Sequence, residues 1–271
     1  MIGRGSLQFA RCGGRTRLAH SHVTAPLALV RPFDLPDGRL VVQLLTLGPG
    51  LCGGDAMELD VIVEDGAEVL LTTTAATRVM SMDPGTRATQ HVRLRAGPGA
   101  SLEYYPALAI PFPGSTLSQT LSIDADATAR VGVVESWTFG RGARDEYLAF
   151  DSLRSRTTLT IDGALVYADA LQLEPAQDDV ANAGILDSRR YLAAGVFSGV
   201  EAMPPGGFRL EAEGSAPAGV DVVLALSRPG LAYLRALAND GPALDAAVQH
   251  SLERVARAWG RPAARLDRFR C

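Results

Sequence analysis

Met57-Glu-Leu-Asp-Val-Ile-Val63 places Met57, Leu59, Val61 and Val63 on one face and Glu58 and Asp60 on the other. Alternation with a period of two is the pattern of a strand with one face buried. The strand runs into Glu64-Asp65-Gly66-Ala67, an Asp-Gly turn, and then into a second apolar run, Val69-Leu70-Leu71. The same order returns at Val92 to Leu94, Ala96-Gly-Pro-Gly99, Ala100 and Leu102 to Tyr105. It returns again at Leu121 to Ile123, Asp124 to Thr128, Ala129 and Val131 to Val134. A fourth copy is Leu159 to Ile161, Asp162-Gly163, Ala164 and Leu165 to Tyr167. The alanines after the turns stand 33, 29 and 35 residues apart, and Phe208 to Glu213 followed by Val220 to Leu226 gives a looser fifth copy.

One strand-turn-strand unit cannot bury its own apolar face, so several must stack or close on one another. A β-solenoid and a two-layer sandwich both satisfy that need, and the spacing does not choose between them. The expectation is a mainly β chain forming one domain over residues 1–271, with two or three helices, mostly C-terminal. Pro242 to Trp259 carries Leu244, Val248, Leu252, Val255 and Trp259 at spacings of three and four, an amphipathic helix. Pro229 to Leu237 is predicted to be helical because its proline suits a first turn, and a shorter helix is predicted around Ser188 to Val196.

Composition narrows function by exclusion. A net charge of −4 argues against a general nucleic-acid surface. All 26 basic residues are arginine, so neither a Schiff-base lysine nor a phosphate-loop lysine exists. Three scattered cysteines do not make a disulfide framework or a structural zinc site. With no signal-peptide stretch and no run near the roughly 18 apolar residues that cross a bilayer, a soluble, reducing, cytoplasmic setting is expected.

Motifs for chemistry are sparse. Gly48-Pro-Gly-Leu-Cys-Gly-Gly-Asp55 is glycine-rich, but no Lys-Ser/Thr follows and the next segment alternates as a strand, so it reads as a tight turn. Cys52 has no histidine in a protease-like context. His20-Ser-His22 has a spacing that puts both rings on one strand face, where they could ligate a metal, although a solvated strand edge is the plainer reading. Ser81, Ser115 and Ser136 lack a nucleophile elbow, and Thr72, Thr73, Thr74 and Thr77 read as hydroxyls that satisfy turn backbone. Acidic residues remain: Asp55, Glu58, Asp60, Glu103, Glu135, Asp145 and Glu146 lie near the ends of apolar strands. Glu103 and Glu135 are flanked by apolar residues, so each needs a partner, a water path or a cation. A structural salt bridge to an arginine is the plainer reading.

The order of motifs resembles one family. Gly53-Gly54-Asp55, then Leu70-Leu-Thr-Thr-Thr-Ala-Ala-Thr-Arg78, Pro98-Gly-Ala-Ser-Leu-Glu-Tyr-Tyr-Pro106, Ile110-Pro-Phe112, Gly140-Arg141-Gly142 with Glu146, Asp162-Gly163, and Trp259-Gly-Arg-Pro-Ala263 are similar, in sequence, to the UreD (UreH) urease accessory family. The resemblance spans roughly residues 20 to 263. Thr74 and Arg78 depart from the usual Gln and Lys, Pro49 and Cys52 alter the glycine turn, Asp145 replaces a frequent Gly, and the C-terminal ending differs. The resemblance implies a β-helical fold and a non-catalytic scaffold that binds UreF, meets the GTPase UreG through UreF, and docks on apo-urease. It implies no tightly bound cofactor but transient nickel, with Asp55, Glu103, Glu135 and Glu146 as candidates lining its route. The alternative from the residues is a β-solenoid enzyme acting on a polysaccharide with Glu103 and Glu135 facing across a groove. A stand-alone nickel-storage protein would need His- or Cys-rich tracts, which the chain lacks.

Overall fold

The structure is a computed structural model, and it describes all residues except 183, 202–207, 210–218 and 269–271. The strands are β1 (Ile2–Cys12), β2 (Arg15–Val23), β3 (Leu27–Leu29), β4 (Phe33–Asp34), β5 (Leu40–Thr46), β6 (Ala56–Val63) and β7 (Glu68–Thr73). Next come β8 (Thr77–Val79), β9 (Ala88–Ala96), β10 (Ser101–Tyr105), β11 (Ala109–Pro111), β12 (Thr116–Ala125) and β13 (Arg130–Thr138). The series ends with β14 (Ser152–Ile161), β15 (Ala164–Leu173), β16 (Tyr191–Val200), β17 (Phe208–Arg209), β18 (Val220–Arg228) and β19 (Gly230–Ala238), before the helix α1 (Gly241–Ala258).

Two sheets face each other. The first runs β15-β14-β12-β9-β6-β1-β2, the second β17-β18-β19-β16-β13-β10-β7-β5-β3. Strands β6, β9, β12 and β14 pair in parallel in the first sheet, as β5, β7, β10 and β13 do in the second. The chain therefore winds from sheet to sheet, a β-solenoid of about four turns.

The recurring turns are the corners of this solenoid. Each closes with an i+3 to i bond, Ala67 N to Glu64 O (3.0 Å), Ala100 N to Gly97 O (3.0 Å) and Ala129 N to Asp126 O (2.9 Å). Successive corners stack, since Ser101 N donates to Ala67 O (2.8 Å) and Arg130 N to Ala100 O (2.9 Å). Ala67, Ala100 and Ala129 are buried in the core. Ala100 is 1% exposed within the packed core, so Ala100→Leu is expected to overpack the corner and cost about 1–3 kcal/mol, read as a lower urea midpoint with an unchanged slope.

The fourth copy differs. Strands β14 and β15 pair antiparallel within one sheet, and Ala164 is exposed. The two-residue Asp162-Gly163 turn makes a hairpin in the plane of the sheet, where the longer turns make corners. The fifth copy falls partly on residues 210–213, which lie outside the described residues.

Two helix predictions are corrected. Pro229 to Leu237 is not a helix: Pro229 occupies the turn between β18 and β19, and Gly230 has φ 81°, as a Pro-Gly turn requires. Strand β19 buries Ala232, Leu234, Ala236 and Ala238 beneath α1, and its other face also carries the apolar Leu231, Tyr233 and Leu237, so its sequence shows no clean alternation of apolar and polar residues. The segment Ser188 to Val196 leads into β16, which is almost wholly buried on both faces and so shows no alternation either. The expected two or three helices reduce, among the described residues, to one α-helix and two short 3-10 turns.

Helix α1 forms as its sequence predicts. Asp240 caps it by accepting from Ala243 N (2.8 Å), and Pro242 sits in its first turn. Leu244, Val248, Leu252 and Val255 are buried against the outer face of the second sheet. Each such side chain contributes roughly 1.5–3 kcal/mol. None of the described helices is long and apolar enough to cross a membrane.

Candidate functional site

The apolar interior between the sheets is interrupted. One cluster fills the corner end, with Leu59, Val61, Val63, Leu94, Leu121, Ile123, Val131, Val133 and Leu159. A second fills the opposite end, with Met57, Ala88, Leu117, Trp137, Leu153 and Leu173. Between them the inward positions are polar. In β12, Gln119 lies between Leu117 and Leu121, and in β14 Ser155 and Thr157 lie between Leu153 and Leu159; all three are buried. Gln90 of β9 is in register beside Gln119.

Glu135 of β13 shares the inward parity of Val131 and Val133 and is 8% exposed. Its carboxylate accepts from Gln119 Nε2 at one oxygen (2.6 Å) and from Thr157 Oγ1 at the other (2.6 Å). No basic group pairs with it among the described residues. Burial pushes its pKa up to about 7, against the two hydrogen bonds, which favour the charged form. The buried Tyr104 hydroxyl is driven up by desolvation and by the nearby Glu135 charge. Farther along, Asp169 of β15 accepts from Arg235 Nη2 of β19 (2.8 Å), which spans the two sheets. The Arg235 side chain is 41% exposed, so this end of the polar layer reaches solvent.

The other three acidic candidates lie elsewhere. Glu103 is buried on the opposite, outer face of the second sheet: in β10 it alternates with Leu102 and Tyr104, which belong to the solenoid interior. Its Oε1 accepts from Arg39 Nη1 (2.7 Å) and lies 3.0 Å from Arg261 Nη2, an ion pair without hydrogen-bond alignment. Arg39, 2% exposed, also donates from Nε to Asp37 (3.0 Å) and from Nη2 to Pro262 O (3.0 Å). Burial alone would lower the Arg39 pKa, but Glu103 and Asp37 raise it and keep the guanidinium charged. Arg261 stacks over Trp259 at 4.5 Å and donates to Ser101 Oγ (2.6 Å), so this cluster ties the segment after α1 to the sheet. Next to it, a Cβ on Gly132 would stand 2.5 Å from the Tyr105 hydroxyl and 2.9 Å from the Trp259 ring, so glycine is required there.

Asp55 closes the glycine turn by accepting from Cys52 N (2.8 Å) and contacts the Met1 amino group (2.5 Å). Glu146 forms a two-pronged pair with Arg141, whose guanidinium lies 4.0 Å over the Phe112 ring. The hydrogen bonds from Arg141 hold the Glu146 carboxyl below its ordinary range. Sequence reasoning missed Gln119, Thr157, Asp169 and Arg235; it expected an arginine beside Glu103 but did not identify Arg39 and Arg261. The signal was present for the first two, as polar residues at inward positions of alternating strands.

The polysaccharide-enzyme alternative fails on this geometry. Glu103 and Glu135 are both buried and lie on opposite faces of one sheet, so no substrate can meet the pair. Thr72 Oγ1 donates to Tyr105 O (2.6 Å) and Thr73 Oγ1 to Ala75 O (3.1 Å), as expected of hydroxyls that satisfy backbone, but the buried Thr74 Oγ1 finds no partner among the described residues.

The fold and site define a β-solenoid with a layer of polar side chains buried inside it and no assembled catalytic set among the residues singled out. The chain matches the profile of the UreD urease accessory protein family over residues 1–270. It is 36% identical to the urease accessory protein UreD of Deinococcus radiodurans over 93% of this chain and 89% of that protein. It is also 36% identical to UreD 1 of a Synechococcus strain, over 73% of this chain and 74% of that protein. Against UreD of a Methylobacterium strain the identity is 34%, over 89% and 86%. The chain belongs to the UreD family, which places it in urease maturation.

Proposed function

We propose that the chain bridges apo-urease to an accessory complex, binding UreF directly and UreG through UreF, and that nickel on its way to the urease active site passes through the polar interior layer. The observation that carries this reading is Glu135: a buried carboxylate with two neutral hydrogen-bond donors and no basic partner among the described residues, inside a layer that opens to solvent at Arg235. A buried carboxylate without a counter-charge is costly, and a passing divalent cation supplies that charge. The layer offers amide, hydroxyl and carboxylate oxygens. Such donors hold a borderline cation weakly next to imidazole or thiolate, and weak binding suits transfer over storage. Nickel is cargo in this reading, and no tightly bound cofactor is invoked.

Of the four acidic candidates, only Glu135 has the placement for a route. Asp55, Glu103 and Glu146 are engaged in local pairing and are assigned structural roles. Co-purification tests the bridging: tagged chain co-expressed with UreF, UreG and urease subunits is expected to retain all of them. UreG is expected to be lost when UreF is omitted. Retention of UreG without UreF would remove the proposed order of contacts.

A further inference from the structure

The His20–His22 pair is not accounted for by the interior layer. The two residues occupy alternate positions of β2, directly opposite Gln8 and Ser6 of β1. Ser6 and Gln8 alternate with the buried Leu7 and Phe9, so both imidazoles lie on the outer face of the first sheet. Strand β2 is the last strand of that sheet, and both histidines are exposed. Among the described residues neither ring makes a hydrogen bond or ion pair. The other two histidines are engaged: His91 Nδ1 lies 2.7 Å from Thr120 Oγ1, and His250 Nε2 accepts from Arg254 (3.3 Å).

We propose that His20 and His22 form a surface site for late first-row divalent cations, copper(II) and nickel(II), on the free edge of the solenoid. Two residues along a strand the side chains return to the same face about 7 Å apart. From that separation two imidazole rings can swing toward one ion at the usual metal–nitrogen distance of roughly 2.0–2.1 Å. The intervening Ser21 points to the other face. Two neutral nitrogen donors select copper(II) over nickel(II), and both over the oxygen-seeking magnesium and calcium. The nearby carboxylates are already engaged, Asp60 by Arg93 and Glu64 by Gln8. The remaining coordination positions are open to water or to a ligand from another molecule. This site is independent of the interior route and stands if that route fails.

The test is metal titration of the full-length protein by calorimetry, with the electron paramagnetic resonance spectrum of one equivalent of copper(II). In the wild type the spectrum is expected to show coupling to imidazole nitrogens, and magnesium is not expected to compete. The H20A/H22A variant is expected to lose the site, and each single variant to bind about tenfold or more weakly through loss of the chelate. H91A serves as the control and is expected to titrate like the wild type. An oxygen-only copper spectrum in the wild type, unchanged titration of the double variant, or displacement by magnesium would overturn the proposal. The copper spectrum is read on the wild type, so the test does not depend on how the variants fold.

Discussion

Replacing Glu135 with glutamine is expected to lower the nickel delivered to urease while making the chain itself more stable at pH 8. The side chain keeps its shape, and the Thr157 hydroxyl can turn from donor to acceptor, so the packing of the layer is retained. What is lost is the charge. Burial raises the Glu135 pKa from an ordinary 4.5 to about 7 in the folded protein. The folded state therefore binds its proton more tightly than the unfolded state does. That contribution to stability is fully present below about pH 4.5 and is lost as pH rises through about 7. A shift of this size corresponds to about 3 kcal/mol, and E135Q lacks the titration. Urea midpoints at pH 5 and pH 8 check it: the wild type is expected to lose more stability between them than the variant. Equal losses in both proteins would mean that Glu135 is not held in the environment described.

Glu103→Ala is expected to act in the opposite sense. It leaves the guanidinium groups of Arg39 and Arg261 facing one another, with Asp37 beside Arg39 and Glu68 3.9 Å from Arg261 as their remaining carboxylates, in a cluster that holds the C-terminal segment. Removing one partner of a buried ion pair costs about 3–5 kcal/mol, a large part of the stability of a domain. Chemical unfolding at neutral pH measures the loss. The nickel delivered per folded molecule is expected to stay at the wild-type level, because Glu103 lies on the outer face of the sheet. A variant with wild-type stability and impaired delivery would reverse the roles assigned to the two glutamates.

Both glutamates stood out in the sequence for the same reason, a charge amid apolar neighbours, and the flanking residues could not separate them. The difference lies in strand parity and in contacts distant along the chain. Arg261 is 158 positions from Glu103, and nothing local to Leu102-Glu103-Tyr104 announces it. The solenoid corners were legible because their turns recur, each followed by an alanine that packs in the core. Strands β16 and β19 were not, since apolar residues on both faces erase the alternation that marks a strand. The polar layer was half legible. Leu117-Ser-Gln119-Thr-Leu121 and Leu153-Arg-Ser155-Arg-Thr157-Thr-Leu159 place polar residues at inward positions, but only when the strands are followed upstream of the corner-proximal apolar runs.

The most direct measurement is the nickel content and ureolytic activity of urease co-expressed with its other accessory proteins in three forms: without this chain, with it, and with the E135Q variant. Nickel and activity are expected only when the chain is present, and at reduced levels with the variant even though it is folded and in the complex. Equal nickel and activity in all three would contradict the account.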